Sequence, residues 1–190
     1  MKEDMVLLSS SDNKDVLAAE GFVKQFYTAL FEREQNSERL IREKPELFTP
    51  EFLEAYDKEM KRYKKASYVL NPDGTQRIGP DGAPEREVPD TGLNYDPFTW
   101  SQEMLEKRED VNVKAVRGYP DKQDEMVVEI EIKLGNDKRT AYIFLMGRLP
   151  RLPDSGRRVW QLANAQLKGD KDLMTQFQEW SKTPDTALKN

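Results

Sequence analysis

The sequence predicts an α+β fold in which N-terminal helices pack on a curved antiparallel sheet forming a cone, with a C-terminal helix. Three observations predict it. Apolar residues recur at helical spacing through the early part of the chain. Four strand-like runs follow one another between residues 111 and 167. A last helical stripe comes after them, and helices followed by a meander of strands is the α+β order. The expected organisation is a flexible lead-in over 1–13, a single domain over 14–168, and a C-terminal helix and tail over 169–190.

The first helix is read from "KDVLAAEGFVKQFYTALFERE". Val16, Ala19, Val23, Phe26 and Leu30 share one face, Phe22 and Tyr27 lie at its margins, and Asn13 or Asp15 is placed to cap it. Leu40 and Ile41 belong to a short second helix ahead of Pro45. In "FTPEFLEAYDKEMKRYKK", Thr49 suits the N-cap and Pro50 the first helical position. Phe52, Tyr56, Met60 and Tyr63 then recur at helical spacing. The cations Lys58, Lys61, Arg62, Lys64 and Lys65 suit the C-terminal end of that helix, where they meet the negative end of the macrodipole.

From Ser67 to Gly92 the chain holds Pro72, Pro80, Pro84 and Pro89 and the tripeptide "PDG" twice, both copies reading as tight turns. A short hairpin with Tyr68–Leu70 facing Arg77 and Ile78 is expected inside it. Next, "LNYDPFTWSQ" reads as a helix start. Asp96 caps it, Pro97 takes the first turn, and Phe98, Gln102 and Leu105 follow at helical spacing. The rival reading makes Asp96 a pocket carboxylate beside Tyr95 and Trp100, an acid or base if a pocket raises its pKa. The spacing favours the cap.

The strands are "VNVKAVRGY", "EMVVEIEIKL", "RTAYIFLMGRL" and "RRVWQLANAQL". The second alternates most clearly, with Met126, Val128, Ile130, Ile132 and Leu134 on the core face and Glu129, Glu131 and Lys133 on the other. "GNDK" supplies a hairpin turn after it. The third is apolar on both faces, so a central, doubly covered position is expected. "GDKDLMTQFQEW" closes as a helix capped by Asp170, with Leu173, Phe177 and Trp180 on one face. Asp170 and Asp172 lack the further oxygen ligands of a calcium loop. Trp160 and Trp180 are read as core.

Composition narrows function. The chain has 190 residues, enough for a sizeable core, with 34% charged and a net charge of −5, which makes nucleic acid a poor partner. It contains no cysteine and no histidine, which excludes thiolate nucleophiles, disulfides and every histidine-based triad. "GPDG" lacks the strand-to-helix context and the lysine of a phosphate loop. No metal and no cofactor are expected. The longest apolar run, Ala141 to Met146, is far too short to span a membrane, and "MKEDMVLLSSSDNKD" is not a signal peptide.

The pieces "FVKQFYTAL", "LFTPEFLEAY", "LNYDPF" and "VWQLANAQL" are similar to those of the nuclear transport factor 2-like (cystatin-like) superfamily. More narrowly, they resemble a bacterial branch of unknown function that includes YbjP-like lipoproteins. The resemblance covers about residues 15–167. It implies a cone-shaped pocket between helices and sheet, lined in enzymatic members by acids, tyrosines or histidines. The absence of histidine here departs from that pattern. Branch members carry an export signal, so the resemblance implies a periplasmic or envelope-associated protein after signal removal, against a cytoplasmic alternative. The expected function is non-enzymatic binding of a protein partner or of a small ligand in the cone, one version being an immunity-type protein that neutralises a secreted toxin. A homodimer is left open. The alternative is a small isomerase or hydrolase using a pocket Asp or Tyr. The candidate ligand-binding residues are Tyr27, Tyr56, Tyr95, Asp96, Trp100 and Tyr142, and none is assigned a catalytic role.

Overall fold

The computed structural model describes residues 5–9, 13–66, 68–85, 96–100, 110–119, 122–134, 136–148 and 159–182. Helix α1 spans Lys14–Phe31, and its N-cap is Asn13, whose Oδ1 accepts from the amides of Asp15 and Val16 at 2.9 and 3.4 Å. Its face of Val16, Ala19, Val23, Phe26, Tyr27 and Leu30 is buried. Helix α2, Ser37–Glu43, is capped by Asn36. A 3-10 turn at Pro45–Leu47 leads into α3, Pro50–Ala66, where Thr49 Oγ1 accepts from the Phe52 amide at 3.3 Å.

The sheet holds β1 (Val6–Leu8), β2 (Val111–Tyr119), β3 (Lys122–Leu134), β4 (Asp137–Arg148) and β5 (Val159–Leu167), in that order and antiparallel throughout. It is curved and unclosed. Helix α4, Leu173–Trp180, follows β5 and packs on α3 and β5. The α+β class read from the sequence is the observed one.

One correction concerns the N-terminus. Residues 6–8, expected within a flexible lead-in, form a fifth strand on the free edge of β2, pairing Val6 with Gly118 and Leu8 with Val116. A Cβ at Gly118 would meet Leu8 Cδ1 at 2.8 Å, so a larger residue there would make the end of the Leu8 side chain move. The opposite edge is engaged as well: the Thr49 amide donates to the Leu162 carbonyl at 2.9 Å, and Phe48 bridges Leu162 in parallel.

On β3, Met126, Val128, Ile130 and Ile132 are buried on the helix-facing side as expected, while the side chain of Leu134 lies outside the described residues. Glu131 on the far face pairs with Lys114 at 3.2 Å and Lys138 at 3.3 Å, and Glu129 with Arg117 at 3.7 Å. The β3–β4 hairpin closes at the pair Leu134–Asp137. Strand β4 is interior, as its two apolar faces predict. Its far face is only half covered, however: Tyr142, Phe144 and Met146 are half-buried, whereas Ala141, Ile143 and Leu145 are buried against the helices.

Between residues 68 and 85 both "PDG" turns form, the Gly74 amide reaching the Asn71 carbonyl at 2.9 Å and the Gly82 amide the Gly79 carbonyl at 3.0 Å. Both glycines have positive φ, at 83° and 78°. The expected hairpin is present, with Leu70 bridging Gln76 and the Arg77 amide donating to the Val69 carbonyl. A second fold-back adds Glu85, whose amide donates to the Arg77 carbonyl at 2.8 Å.

The space between helices and sheet is filled by rings. Phe26 meets Phe98 edge-on at 5.0 Å and Phe48 at 5.7 Å, Phe48 stacks on Phe52 at 5.5 Å, and Phe177 closes on Phe52 at 6.1 Å. The interior that the resemblance implies as a pocket is therefore a packed aromatic core.

Candidate functional site

Asp96 opens a single tight turn. Its Oδ1 accepts from the amides of Phe98 and Thr99, both at 2.9 Å, and the Trp100 amide donates to its carbonyl at 2.8 Å. This is the capping geometry predicted for an Asp before a Pro, with Pro97 presetting φ. The expected helix through Gln102 and Leu105 is not continuous with this turn. Trp100 has φ of +52°, in the left-handed region that a helix cannot pass through; residues 101–109 lie outside the described residues.

Three elements hold the turn. From α2, Ser37 Oγ donates to Asp96 Oδ2 in a short hydrogen bond. From α1, the Tyr27 hydroxyl donates to the Phe98 carbonyl at 2.9 Å. From β4, Arg139 Nη1 donates to the Trp100 carbonyl at 2.8 Å. Phe98 itself is fully buried in the aromatic core. The turn joins two helices and the sheet, and both oxygens of Asp96 accept hydrogen bonds in doing so.

Burial pushes the Asp96 carboxyl above its ordinary range, opposed by the hydrogen bonds from Ser37, Phe98 and Thr99. Burial likewise raises Tyr27 well above the usual phenol, with the Asp96 charge adding to it. Tyr56, stacked on Phe52 and edge-on to Phe177, is pushed up by burial, then by Glu38 and Asp96. Neither phenol is poised to lose a proton near neutrality.

One face of the turn looks onto a cleft of about 570 Å³, bounded by Asp96, Pro97, Trp100, Arg139, Leu167 and the approach to α4. That approach contributes Asp170, Lys171, Leu173 and Gln176. Its geometry corrects one expectation. Asp172, not Asp170, is the N-cap of α4, accepting from the Thr175 amide at 3.0 Å and from Asn164 Nδ2 at 2.5 Å. Gly169, at φ +97°, turns the chain after β5, and the helix starts only beyond Asp172. Asp170 is left exposed on the rim. Lys171 pairs with Glu179 at 2.6 Å. Arg139 forms no ion pair with any described residue, and its guanidinium donates to the Trp100 carbonyl.

Of the residues expected to form a site, Asp96 and Trp100 line this cleft. Tyr27 and Tyr56 belong to the core, at 2% and 6% exposure. Tyr142 faces the other way: it pairs with Glu129 and Gln166, while its neighbours Ala141 and Ile143 meet the helices. Tyr95 lies outside the described residues. Sequence reasoning missed Ser37, Arg139, Asp170, Lys171 and Gln176 as partners or walls of the cleft. Nothing in local spacing joins residues this far apart along the chain. No group of three or more acidic side chains among the described residues is arranged to hold a metal ion. None of their helices is long and apolar enough to cross a membrane.

Comparison with protein-family models, with curated proteins and with solved structures gives no match.

Proposed function

We propose that the protein acts by binding rather than catalysis, and that its ligand, a small molecule or a segment of a partner protein, seats in the cleft beside the Asp96–Trp100 turn. The observation that carries this is the structural task of Asp96, whose two oxygens hold the turn together. A general acid or base needs an oxygen within reach of substrate, and both of its oxygens serve the protein's own amides and Ser37. The tyrosines that would replace it are buried in the core. What the cleft offers instead is recognition: an indole and Leu167 for apolar contact, and Arg139, Asp170, Lys171 and Gln176 for polar contact. Its volume falls within the roughly 300–1,000 Å³ of small-molecule sites.

The resemblance to the nuclear transport factor 2-like superfamily extends the proposal to a bacterial envelope protein, and neutralisation of a secreted toxin is one form the partner reading takes. The filled interior moves the ligand out of the cone and onto the end cleft. The test is affinity purification of the tagged chain from its source cells beside an Asp170→Arg variant, which crowds the cleft from an exposed rim position. A specific co-purifying species should be lost in the variant, and its undiminished recovery would count against the cleft.

A further inference from the structure

The charged groups on the wall of the cleft beside the Asp96–Trp100 turn divide into those already satisfied and those left open. Asp96 is satisfied, its oxygens accepting from two amides and from Ser37. Lys171 is satisfied too, donating to both oxygens of Glu179 at 2.6 and 2.7 Å. Two groups of opposite sign remain. Arg139 gives Nη1 to the Trp100 carbonyl at 2.8 Å, and no described residue pairs with the rest of its guanidinium. Its Nε and Nη2 are not among the sealed, unpartnered atoms and stay open to solvent. Asp170 has its backbone fixed at both ends. Its amide donates to the Leu167 carbonyl at 3.0 Å, and its carbonyl accepts from Gln166 Nε2 at 2.7 Å. Its carboxylate forms no ion pair with a described residue. Arg139 and Asp170 line the same cleft without pairing with each other.

The anchoring of Arg139 gives its guanidinium a fixed orientation, and a planar fork held at one nitrogen suits recognition of a carboxylate by the others. The anchor itself is held at a cost. Trp100 stands at φ +52°, which a bulky residue adopts only under constraint from its surroundings. In that conformation its carbonyl receives Arg139 while its side chain lines the cleft. Between the two open charges the wall is apolar, supplied by Trp100 and Leu167. An inorganic anion would satisfy Arg139 and leave that apolar surface bare. A plain carboxylic acid would cover it but bring a like charge toward Asp170. A ligand with a carboxylate at one end, an ammonium at the other and an apolar body matches all three surfaces.

We propose that the cleft takes a zwitterion with an apolar body: its carboxylate on the Arg139 guanidinium, its ammonium toward the Asp170 carboxylate, and its body against Trp100 and Leu167. This rests on ligand binding in the cleft and names the class of ligand bound there. Two sources share the chemistry, a free apolar amino acid and a short apolar peptide. They differ in the spacing between the two charges.

The probes are L-leucine and L-leucyl-L-leucine, titrated into the full chain at about pH 6.5, where amine and carboxylate are both charged. Binding is read by calorimetry and by the indole N–H resonance of Trp100. Saturable binding of at least one is expected; tighter binding of leucine assigns the site to a free amino acid, and tighter binding of the dipeptide to a short peptide. Arg139→Gln keeps a donor for the Trp100 carbonyl and should weaken binding at least about tenfold, the loss of a charge-assisted hydrogen bond. Asp170→Asn should weaken it about two- to fivefold, as suits an exposed charge. The same variant should bind the N-acetylated probe, which has no ammonium, as the wild type does. That contrast is read between two probes on one variant, so it does not depend on how stably the variant folds. The proposal is overturned if neither zwitterion binds saturably, if Arg139→Gln binds as tightly as the wild type, or if Asp170→Asn weakens free and acetylated probes alike. It is overturned as well if uncharged N-acetyl-leucine methylamide binds as tightly as leucine and shifts the Trp100 resonance, a result that leaves the cleft a binding site for apolar ligands. Zwitterion binding that leaves the Trp100 resonance unmoved places the ligand elsewhere and removes the cleft reading along with the proposal.

Discussion

Asp96 shows how a carboxylate can carry two signatures at once. Its raised pKa suggests chemistry, and its hydrogen bonds give it a structural task. The two are separable by substitution. Asn caps about as well as Asp and can donate to Ser37, so Asp96→Asn should keep the urea midpoint close to wild type. Asp96→Ala should cost about 2 kcal/mol, the upper end for a lost cap, because Ser37 and two amides lose their acceptor together. The pH dependence has a definite sign. The folded Asp96 holds its proton above the unfolded value near 3.8, so its contribution to stability is greatest at low pH and falls as pH rises until the folded carboxyl has ionised. Stability of Asp96→Asn relative to wild type should therefore climb over that window and then level off. Asp172 behaves in reverse. Burial pushes it up, but the hydrogen bonds from Asn164 and Thr175 outweigh burial and hold it below its ordinary range. Its contribution is complete above the unfolded value and lost as pH falls through the lower, folded one. In Asp172→Asn that low-pH loss should be smaller, measured by urea unfolding between neutral and acid pH.

At the level of elements, alternation in β3 fixes which residues meet the helices. Val128→Lys places an unpaired charge among fully buried neighbours and should cost more than about 3 kcal/mol. Glu129→Lys lies on the far face beside Arg117 and should cost under about 1 kcal/mol. Equal unfolding midpoints would mean the register is wrong. Strand β1 gives a second check. Gly118→Ala sets a methyl against Leu8, so the amides of residues 6–8 should exchange with solvent faster while the rest of the sheet keeps its protection. The elements most legible in the sequence were those with a full period and a cap, such as Thr49-Pro50 ahead of Phe52 and Tyr56. Strand β1 was not legible. Three residues carry no period, and their partners are Val116, Arg117 and Gly118, more than a hundred positions away. The α4 cap was misplaced by two residues because Asp170 and Asp172 look alike in sequence. Only the turn at Gly169 and the contact with Asn164 tell them apart.

For the whole molecule, the aromatic residues decide where a ligand can go. Each of Phe26, Phe48, Phe52 and Phe98 reads in sequence as one apolar position, and nothing in their spacing says whether they line a cavity or fill it. They fill it, and Phe98→Ala should accordingly cost about 3–5 kcal/mol as a cavity opens among the rings. The cleft beside the Asp96 turn was half legible for the complementary reason. Asp96 and Trp100 lie in one short motif, whereas Arg139 and the approach to α4 reach it only through the fold. The most direct test of binding in that cleft is a calorimetric titration of whatever co-purifies with the protein into three chains: wild type, Asp96→Asn and Asp170→Arg. Binding in the cleft predicts that Asp96→Asn keeps near wild-type affinity, since the turn is preserved, and that Asp170→Arg loses it. Loss of binding or turnover in a normally folded Asp96→Asn, with Asp170→Arg unaffected, would contradict it and return Asp96 to the chemistry of the site.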